Sequence, residues 1–445
     1  MKKITSLLLT LSLALSVAAC GTKAPVVAET PAETKVEAPA AGLTGEITVQ
    51  VEESWVSYYE AAITRFKAAN PEAKVTLINS KAVDMLDVLD KTDPSNVDVA
   101  DIFAIPADRV YGMAENESLA PIDAKALATK IGGYDNFDEG LGGNFNIDGD
   151  YLAFPMNIET LIAFANTKNA AAAGVDLTKP VELTTVKTND IAIPAFNAWY
   201  GVAILNSSDI ELLGKKADGT LYSDFTAEWK DFPADKQATF TALFNYWKGI
   251  QDAGSGMWDA TTAWGAMDTD FTSGGKTSLR IEGPWDNTKM LGLAANGADL
   301  EVLPIGSITV AGKALKHWKG GWGLAVNARN DGDEAKMALS EAFIAELMNT
   351  EFATDFWKTL GKIMPNVKAD VYLKSDLSDT DKAVIENVLA SYEGATARPL
   401  FTEWGSVWDT WQNSVLSWSS VKPATAEAAY TEVKAAFDAM MLTIK

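Results

Sequence analysis

Carboxylate, guanidinium and indole side chains stand at positions where they could bind a polyhydroxylated molecule. Asp108 and Arg109 are adjacent, Glu159 ends a short apolar segment, and Trp285 completes a Gly-Pro-Trp turn. A carboxylate accepts hydrogen bonds, an arginine donates through a fixed fork, and an aromatic ring offers a flat apolar face. A neutral sugar needs all three. From the residues alone, a solvated turn or a local ion pair is the simpler interpretation of Asp108 and Arg109.

Further aromatic residues have two interpretations each. Four tryptophans are spaced by three, four or seven residues, which places them near one helical stripe and is typical of a core: Trp404, Trp408, Trp411 and Trp418. Glu53 and Trp55 follow the first predicted strand. They either build a binding platform at its carboxyl end or belong to a surface loop.

Patterns typical of catalysis or of metal binding are weak. The single histidine, His317, has no Ser or Cys partner pattern nearby and is interpreted as a surface or satisfied core residue. Asp148-x-Asp150 and Asp268-x-Asp270 lack the rest of a calcium loop and are predicted to be turns. Sixty acidic residues make some carboxylate pair inevitable, but no motif singles out a glycosidase pair. We expect no enzyme, no cofactor and no metal.

The N-terminus has the pattern of a lipoprotein signal. Lys2 and Lys3 precede an apolar run too short to span a bilayer, and the run ends in Ala18-Ala19-Cys20. We predict a signal peptide over residues 1–19 and a lipid on Cys20, the only cysteine. Residues 20–45 are rich in Ala, Pro, Glu and Thr without an aromatic residue, which predicts a disordered tether. The body is then held by lipid on the extracytoplasmic face of the cell membrane.

Composition limits the partners. A net charge of −23 and a pI near 4.5 argue against nucleic acid and against anionic lipid surfaces. The chain after the tether is too long for one small core, so two domains are expected.

The predicted elements form α/β units. Residues 47–51 and 74–78 alternate as strands, the stripe of Tyr59, Ala62 and Phe66 between them predicts a helix, and residues 99–105 form another apolar strand. This pattern predicts a largely parallel sheet, whose ligands bind at the carboxyl ends of strands. Two strands around residues 151–166 resemble a crossing between domains, and helical stripes follow at 335–347 and 426–440.

Several segments, in one order along the chain, resemble the maltose- and maltodextrin-binding proteins of ABC importers. They are residues 45–122 with Ala107-Asp108-Arg109-Val110-Tyr111, Tyr151–Pro155 with Glu159, Gly275–Thr277 leading to Glu282–Trp285, Gly320–Asn327, and the Trp-rich segment from Arg398. The resemblance implies a two-lobed periplasmic-binding-protein-like fold, with helices flanking each sheet and the ligand cleft between lobes. It implies lobe one at 46–157 plus 305–370, and lobe two at 158–304 plus 371–445.

The resemblance also implies a function and a set of site residues. The protein is expected to be a monomer that closes on an oligosaccharide and delivers it to the transmembrane permease subunits. The implied sugar-binding residues are Asp108, Arg109, Glu159, Phe196, Trp285 and Trp408. Phe196 is preferred over Trp199, and Trp55 is added as a replacement platform because the segment after the first strand departs from the family pattern.

Other functions stay open at this stage. The same fold could bind another sugar, a polyamine or a peptide, although Arg109 argues against a cationic ligand. A lipid-anchored glycoside hydrolase and a surface adhesin are the remaining alternatives.

Overall fold

The computed structural model describes residues 42–184, 187 and 190–444. The predicted signal peptide, Cys20 and nearly all of the predicted tether lie outside these residues. The first strand begins at Gly45, next to the predicted start of the folded body.

The described strands are short apart from one of ten residues. They are β1 (Gly45–Val51), β2 (Ala73–Asn79), β3 (Ile102–Pro106), β4 (Leu119–Ala120), β5 (Asn146–Ile147), β6 (Asp150–Tyr151), β7 (Phe154–Glu159), β8 (Ile162–Asn166), β9 (Val181–Glu182), β10 (Ile191–Ala192), β11 (Gly214–Lys215), β12 (Leu221–Tyr222), β13 (Leu279–Glu282), β14 (Leu300–Pro304), β15 (Ile308–Val310), β16 (Lys313–Ala314), β17 (Trp318–Asn327) and β18 (Thr396–Ala397).

Helices account for most of the remaining regular structure. The α-helices are α1 (Val56–Ala69), α2 (Ala82–Leu89), α3 (Arg109–Glu115), α4 (Ala124–Ile131), α5 (Thr167–Ala173), α6 (Ala198–Leu205), α7 (Ala234–Asp252), α8 (Ala263–Phe271), α9 (Asn287–Leu293), α10 (Glu334–Leu347), α11 (Ala353–Leu360), α12 (Ala369–Leu373), α13 (Asp379–Glu393), α14 (Val407–Leu416), α15 (Trp418–Val421) and α16 (Ala426–Thr443). Short 3₁₀ helices are Glu53–Trp55, Leu141–Phe145, Asn206–Ser208, Asp224–Thr226, Trp229–Asp231, Gly256–Trp258, Pro284–Asp286, Ala295–Gly297, Ile305–Ser307, Ala328–Asn330, Thr350–Phe352 and Thr402–Ser406.

The N-terminal strand-helix-strand prediction is confirmed by β1, α1 and β2. The helix ends at Ala69 because Asn70 and Pro71 follow, and Pro71 disfavours helical backbone at the residue before it. Its buried face comprises Tyr58, Tyr59, Ala62 and Phe66, as the stripe predicts. The Asp148-Gly149 hairpin turn is also present, with both residues at positive φ between β5 and β6.

The two main sheets are mixed, which corrects the prediction of largely parallel sheets. In the first, β1 is parallel to β2 and β3, but the long strand β17 runs antiparallel to β3, β4 and β7. In the second, β8 is antiparallel to both β13 and β14, and β10 is parallel to β13. The reason is that β17 starts beside the second core at Trp318 and returns through the first sheet, opposite in direction to β3.

Two hydrophobic cores lie on either side of the point where β17 passes from the second core into the first sheet. The first core surrounds β1, β3 and α1 and also takes in residues of α10, α11 and α13; the second surrounds α6, α7, α14 and α16. The chain passes from the first sheet to the second between β7 and β8, at Thr160 and Leu161, and both of these residues are completely buried. The predicted crossing near residues 151–166 is therefore found.

Candidate ligand-binding site

A cavity of about 1240 Å³ lies where the elements of the two cores meet. It opens beside the carboxyl ends of β1, β3 and β7, the edge at which ligands of such sheets bind. Its aromatic lining residues are Trp55, Trp199, Trp285, Trp322, Phe401, Trp404 and Trp408. Its charged lining residues are Glu52, Lys81, Asp87, Asp90, Asp108, Arg109, Glu159, Lys362 and Arg398.

Asp108 is held at the cavity by an ion pair. It precedes the first residue of α3, close to the end of β3, and its Oδ2 lies 2.7 Å from Nη2 of Arg398. The two side chains are 14% and 6% exposed, respectively. The other carboxylate oxygen, Oδ1, is buried and has no hydrogen-bond partner among the described residues. An unpaired buried acceptor of this kind carries a desolvation cost.

Arg109, the first residue of α3, forms a local ion pair at the edge of the same cavity. Its Nη2 lies 3.4 Å from Oδ1 of Asp87 and also contacts Asp90, both at the end of α2. The guanidinium side chain is 33% exposed. The simpler interpretation, a local ion pair, is therefore present, and it coexists with a position in the cavity wall.

Glu159 is the last residue of β7 and is almost completely buried. Its Oε2 accepts a hydrogen bond of 3.0 Å from the indole nitrogen of Trp322. Burial raises the pKa of Glu159 above its ordinary value, although the charges of Lys362 and Arg398 oppose that rise. Glu159 is thus a fixed acceptor in the buried part of the wall.

Lys362 was not expected from the sequence. It follows α11 and Gly361, whose φ of +64° ends the helix, and its neighbour Ile363 forms a β-bridge with Ile158. Its ammonium nitrogen lies 5.3 Å from the ring centroid of Trp55 and 5.2 Å from that of Trp322. Burial lowers the pKa of Lys362, and the charges of Glu159 and Glu52 oppose the change.

Tryptophans from several elements form a further part of the cavity wall. The ring centroids of Trp199 and Trp285 are 6.4 Å apart, and those of Trp404 and Trp408 are 4.9 Å apart. The guanidinium carbon of Arg398 lies 4.9 Å from the centroid of Trp199. Trp285 remains 38% exposed, so one of its faces is available to a ligand.

Six of the seven predicted site residues line the cavity, and the seventh does not. Those in the wall are Asp108, Arg109, Glu159, Trp285, Trp408 and Trp55. Their role in binding a ligand stays a prediction. Of the segment after the first strand, Trp55 is buried in the wall, whereas Glu53 is exposed and does not contribute to it.

The prediction for Phe196 is wrong as to its position. Phe196 is 2% exposed and packs edge-to-face on Trp258 in the second core, with centroids 6.2 Å apart. Asn197 then caps α6 by accepting from the amide of Trp199, so the helix starts there and Trp199 lines the cavity. Phe196 belongs to the apolar segment that follows β10, and its side chain packs in the core.

Three lining residues had little signal in the sequence. Lys362, Trp322 and Arg398 come from segments far apart in the chain, and only the fold brings them to Glu159 and Asp108. Arg398 and Trp322 stand in segments that supported the family resemblance, which was the one available clue.

His317 is a satisfied core residue behind the cavity wall. Its Nε2 lies 2.8 Å from the backbone oxygen of Trp199, and its Nδ1 lies 3.2 Å from Oγ1 of Thr160. Burial lowers the pKa of His317 to about 3, so the ring is neutral at physiological pH. Nε2 then donates to the carbonyl and Nδ1 accepts from the hydroxyl. The imidazole also packs against the indole of Trp199, at 4.4 Å between centroids, and supports it.

The proposed turn motifs do not form a metal site. Within residues 42–184, 187 and 190–444 no three His, Cys, Asp or Glu residues are grouped so as to hold an ion. Asp148 forms the β5–β6 turn as predicted. The prediction of a turn at Asp268 is wrong, because Asp268 lies in α8 and pairs with the buried Arg280.

Together, the mixed α/β sheets, the two cores and the aromatic cavity between them define a two-lobed binding protein. The chain belongs to the family of bacterial extracellular solute-binding proteins, whose model matches residues 61–385. It is accordingly a binding protein and not an enzyme, and the family is extracytoplasmic. None of the helices in the described part of the chain is long and apolar enough to cross a membrane.

The names and descriptions of similar proteins refer to maltodextrin, maltopentaose and acarbose. The maltodextrin-binding protein MdxE of Bacillus subtilis is 24% identical over 397 residues, which cover 86% of this chain and 87% of the relative. The structure of MalX from Streptococcus pneumoniae with maltopentaose superposes with a TM-score of 0.66 at 19% identity, covering 88% of this chain and 99% of MalX. The GacH receptor of Streptomyces glaucescens, solved unliganded and with acarbose, gives 0.68 at 18% identity, covering 91% and 100%. These structures confirm the predicted two-lobed fold.

Proposed function

We propose that this protein is the lipid-anchored, substrate-binding component of an ABC importer for an oligosaccharide of the maltodextrin class. It binds the sugar in the cavity between its lobes and delivers it, chemically unchanged, to permease subunits in the membrane. Cys20 carries the lipid, and the segment after it tethers the body to the extracytoplasmic face.

The observation that carries this proposal is the composition of the cavity wall. Six of the fourteen tryptophans of the chain line it, together with the carboxylate of Asp108 and a fixed acceptor on Glu159. Flat rings suit the C–H faces of pyranoses, and buried carboxylates suit their hydroxyls. Neither nucleic acid nor a simple apolar ligand would match this combination.

The names of the relatives support the same ligand class. MdxE is a maltodextrin-binding protein, and MalX was solved with maltopentaose. A cavity of about 1240 Å³ exceeds the 300–1,000 Å³ typical of drug-sized ligands, which favours a chain of several sugar rings over a monosaccharide.

Closure of the lobes on the sugar gives the signal for transport. A ligand that contacts both lobes stabilises the closed arrangement by its differential affinity, and the permease recognises that arrangement.

The exact lobe limits remain a proposal. Core membership favours assigning residues 305–315 to the lobe of the second core and 372–388 to that of the first, unlike the limits at 305 and 370 expected from the sequence.

The test is a titration of the chain from residue 42 onward, which forms one compact unit. Tryptophan fluorescence is followed while maltose, maltotriose, maltopentaose, cellobiose, spermidine and a peptide mixture are added. We expect saturable binding of the α-glucans, stronger for the longer ones, and recovery of the sugar intact. Binding of spermidine or peptides alone would replace the ligand class, and a cleaved product would refute the transport role.

The anchor needs its own experiment. The full chain and its Cys20→Ser variant are expressed in a bacterium, and membrane and soluble fractions are compared after labelling with a palmitate analogue. We expect label and membrane retention for the full chain and neither for the variant. Equal membrane retention of both chains would contradict anchoring through Cys20.

A further inference from the structure

We propose that Lys362 is a specificity-determining residue of the cavity, whose ammonium group donates hydrogen bonds to hydroxyl oxygens of a neutral saccharide. This inference rests on the proposed function and adds a ligand contact that the sequence did not predict. It also specifies the charge of the sugar.

The backbone holds Lys362 rigidly. Gly361 ends α11 in the left-handed conformation, and the amide of Ile158 donates to the carbonyl oxygen of Ile363 at 3.0 Å. Lys362 is therefore fixed between a helix end and strand β7, beside Glu159. A side chain attached to such a segment loses little further freedom when a ligand binds.

Two indole rings fix the head of the side chain. The ammonium nitrogen lies 5.3 Å from the centroid of Trp55 and 5.2 Å from that of Trp322, within the range of cation–π attraction. Trp322 is itself held, because its indole nitrogen donates to Glu159. The lysine head therefore cannot swing away to solvent without losing both rings.

These contacts leave the donors of the ammonium group unused. Lys362 is 9% exposed, lines the cavity, and makes no hydrogen bond or ion pair with any residue in the described ranges. An ammonium group carries three donors. Because Lys362 lines the cavity and its nitrogen is not among the fully buried atoms without a partner, these donors face the cavity, where water or a ligand supplies the acceptors.

The charges around Lys362 indicate which acceptors fit. Four basic and five acidic side chains line the cavity, so the formal sum of the lining is −1. The acids Glu159 and Glu52 lie close enough to influence Lys362. A carboxylate on the ligand would be attracted by Lys362 but repelled by these acids. Hydroxyl groups can instead accept from Lys362 without adding a charge to the cavity.

Lys362→Met tests the inference, since methionine retains an apolar stem between the two rings and removes the donors. We expect the Kd for maltotriose to rise about 10- to 100-fold, the loss typical of a charged hydrogen bond. Lys358→Met is the matched control: it removes one positive charge from α11, four residues before Lys362, but Lys358 is exposed, pairs with Asp376, and does not line the cavity. Its affinity should equal that of the unmodified chain.

Deoxy analogues identify the contact more directly. Removing the hydroxyl that accepts from Lys362 should weaken binding to the unmodified chain. The affinity of Lys362→Met should be the same for the deoxy analogue as for maltotriose. A maltotriose analogue with one uronate should bind the unmodified chain less well than maltotriose does. If thermal unfolding shows that Lys362→Met does not fold, Lys362→Gln takes its place, because its amide fits the same space with a weaker donor.

The outcomes separate the inference from the proposed function. Unchanged affinity of Lys362→Met for a sugar that the unmodified chain binds overturns the inference alone. Preference for the uronate overturns the neutral ligand class. Failure of the unmodified chain to bind any saccharide overturns both proposals.

Discussion

Two tryptophans on one helix should respond to substitution in opposite ways. Trp408 and Trp411 both belong to α14, but Trp408 is half-buried in the cavity wall, whereas Trp411 is completely buried and donates to the carbonyl of Ala195 at 2.9 Å. We expect Trp408→Ala to weaken sugar binding and leave the fold intact. We expect Trp411→Ala to destabilise the fold.

The magnitudes follow from the surface that each ring covers. A sugar on one face of an indole removes on the order of 80 Å² of apolar surface from water, and at about 25 cal/mol per Å² this is about 2 kcal/mol, or a rise in Kd of roughly 30-fold. Truncating a fully buried tryptophan costs about 3–5 kcal/mol of unfolding free energy. Trp411→Ala also leaves the buried Ala195 carbonyl without its donor, which places its cost at the upper end.

The assay combines calorimetric titration with maltotriose and urea unfolding of the chain from residue 42, for both variants and the unmodified chain. Trp408→Ala should lower the unfolding free energy less than Trp411→Ala does, since the lost indole is only half-buried where it contacts Trp318 and Trp404. The reasoning is refuted if Trp408→Ala binds maltotriose as tightly as the unmodified chain does, or if it unfolds as readily as Trp411→Ala.

Three further predictions follow from individual contacts. Phe196→Ala should lower the free energy of unfolding by about 3–5 kcal/mol, measured in urea, because its ring fills the second core, while calorimetry finds the Kd for maltotriose unchanged in the folded protein. Gly321→Ala should lower the melting temperature, because an added Cβ would lie 2.7 Å from the carbonyl oxygen of Asn157 in the neighbouring strand; a melting temperature within error of the unmodified chain would contradict this close approach. Burial raises the pKa of Glu282 to about 7, so between its ordinary pKa of 4.5 and about 7 the folded state holds a proton that the unfolded state has lost. Stability should therefore fall as the pH rises through this window, by on the order of 1–3 kcal/mol relative to Glu282→Gln, which has no proton to lose. If the unfolding free energies of the two proteins, measured in urea, changed in parallel with pH, the raised pKa of Glu282 would be contradicted.

Local sequence patterns predicted the elements and some of the cavity. The apolar stripe of α1 and the proline after it located that helix, and alternation located β1 and β2, because these signals depend on neighbours within a few residues. Asp108 and Glu159 were proposed from the family resemblance, and the structure places them next to the ends of β3 and β7, where such sheets bind their ligands. The sequence left His317 as either a surface or a satisfied core residue, and the structure places it in the core, where burial keeps it neutral.

The tertiary structure alone decided the sheet directions and the rest of the cavity. No local pattern shows that β17 returns antiparallel through the first sheet, because its direction depends on where the chain re-enters from the second core. Phe196 and Trp199 are both aromatic and three residues apart, yet the start of α6 at Ala198 puts one in the core and the other in the wall. Lys362 reaches Trp55 and Trp322 only because three distant segments meet. Contacts between segments far apart in the chain depend on the packing of the whole molecule, and a single sequence records no trace of them.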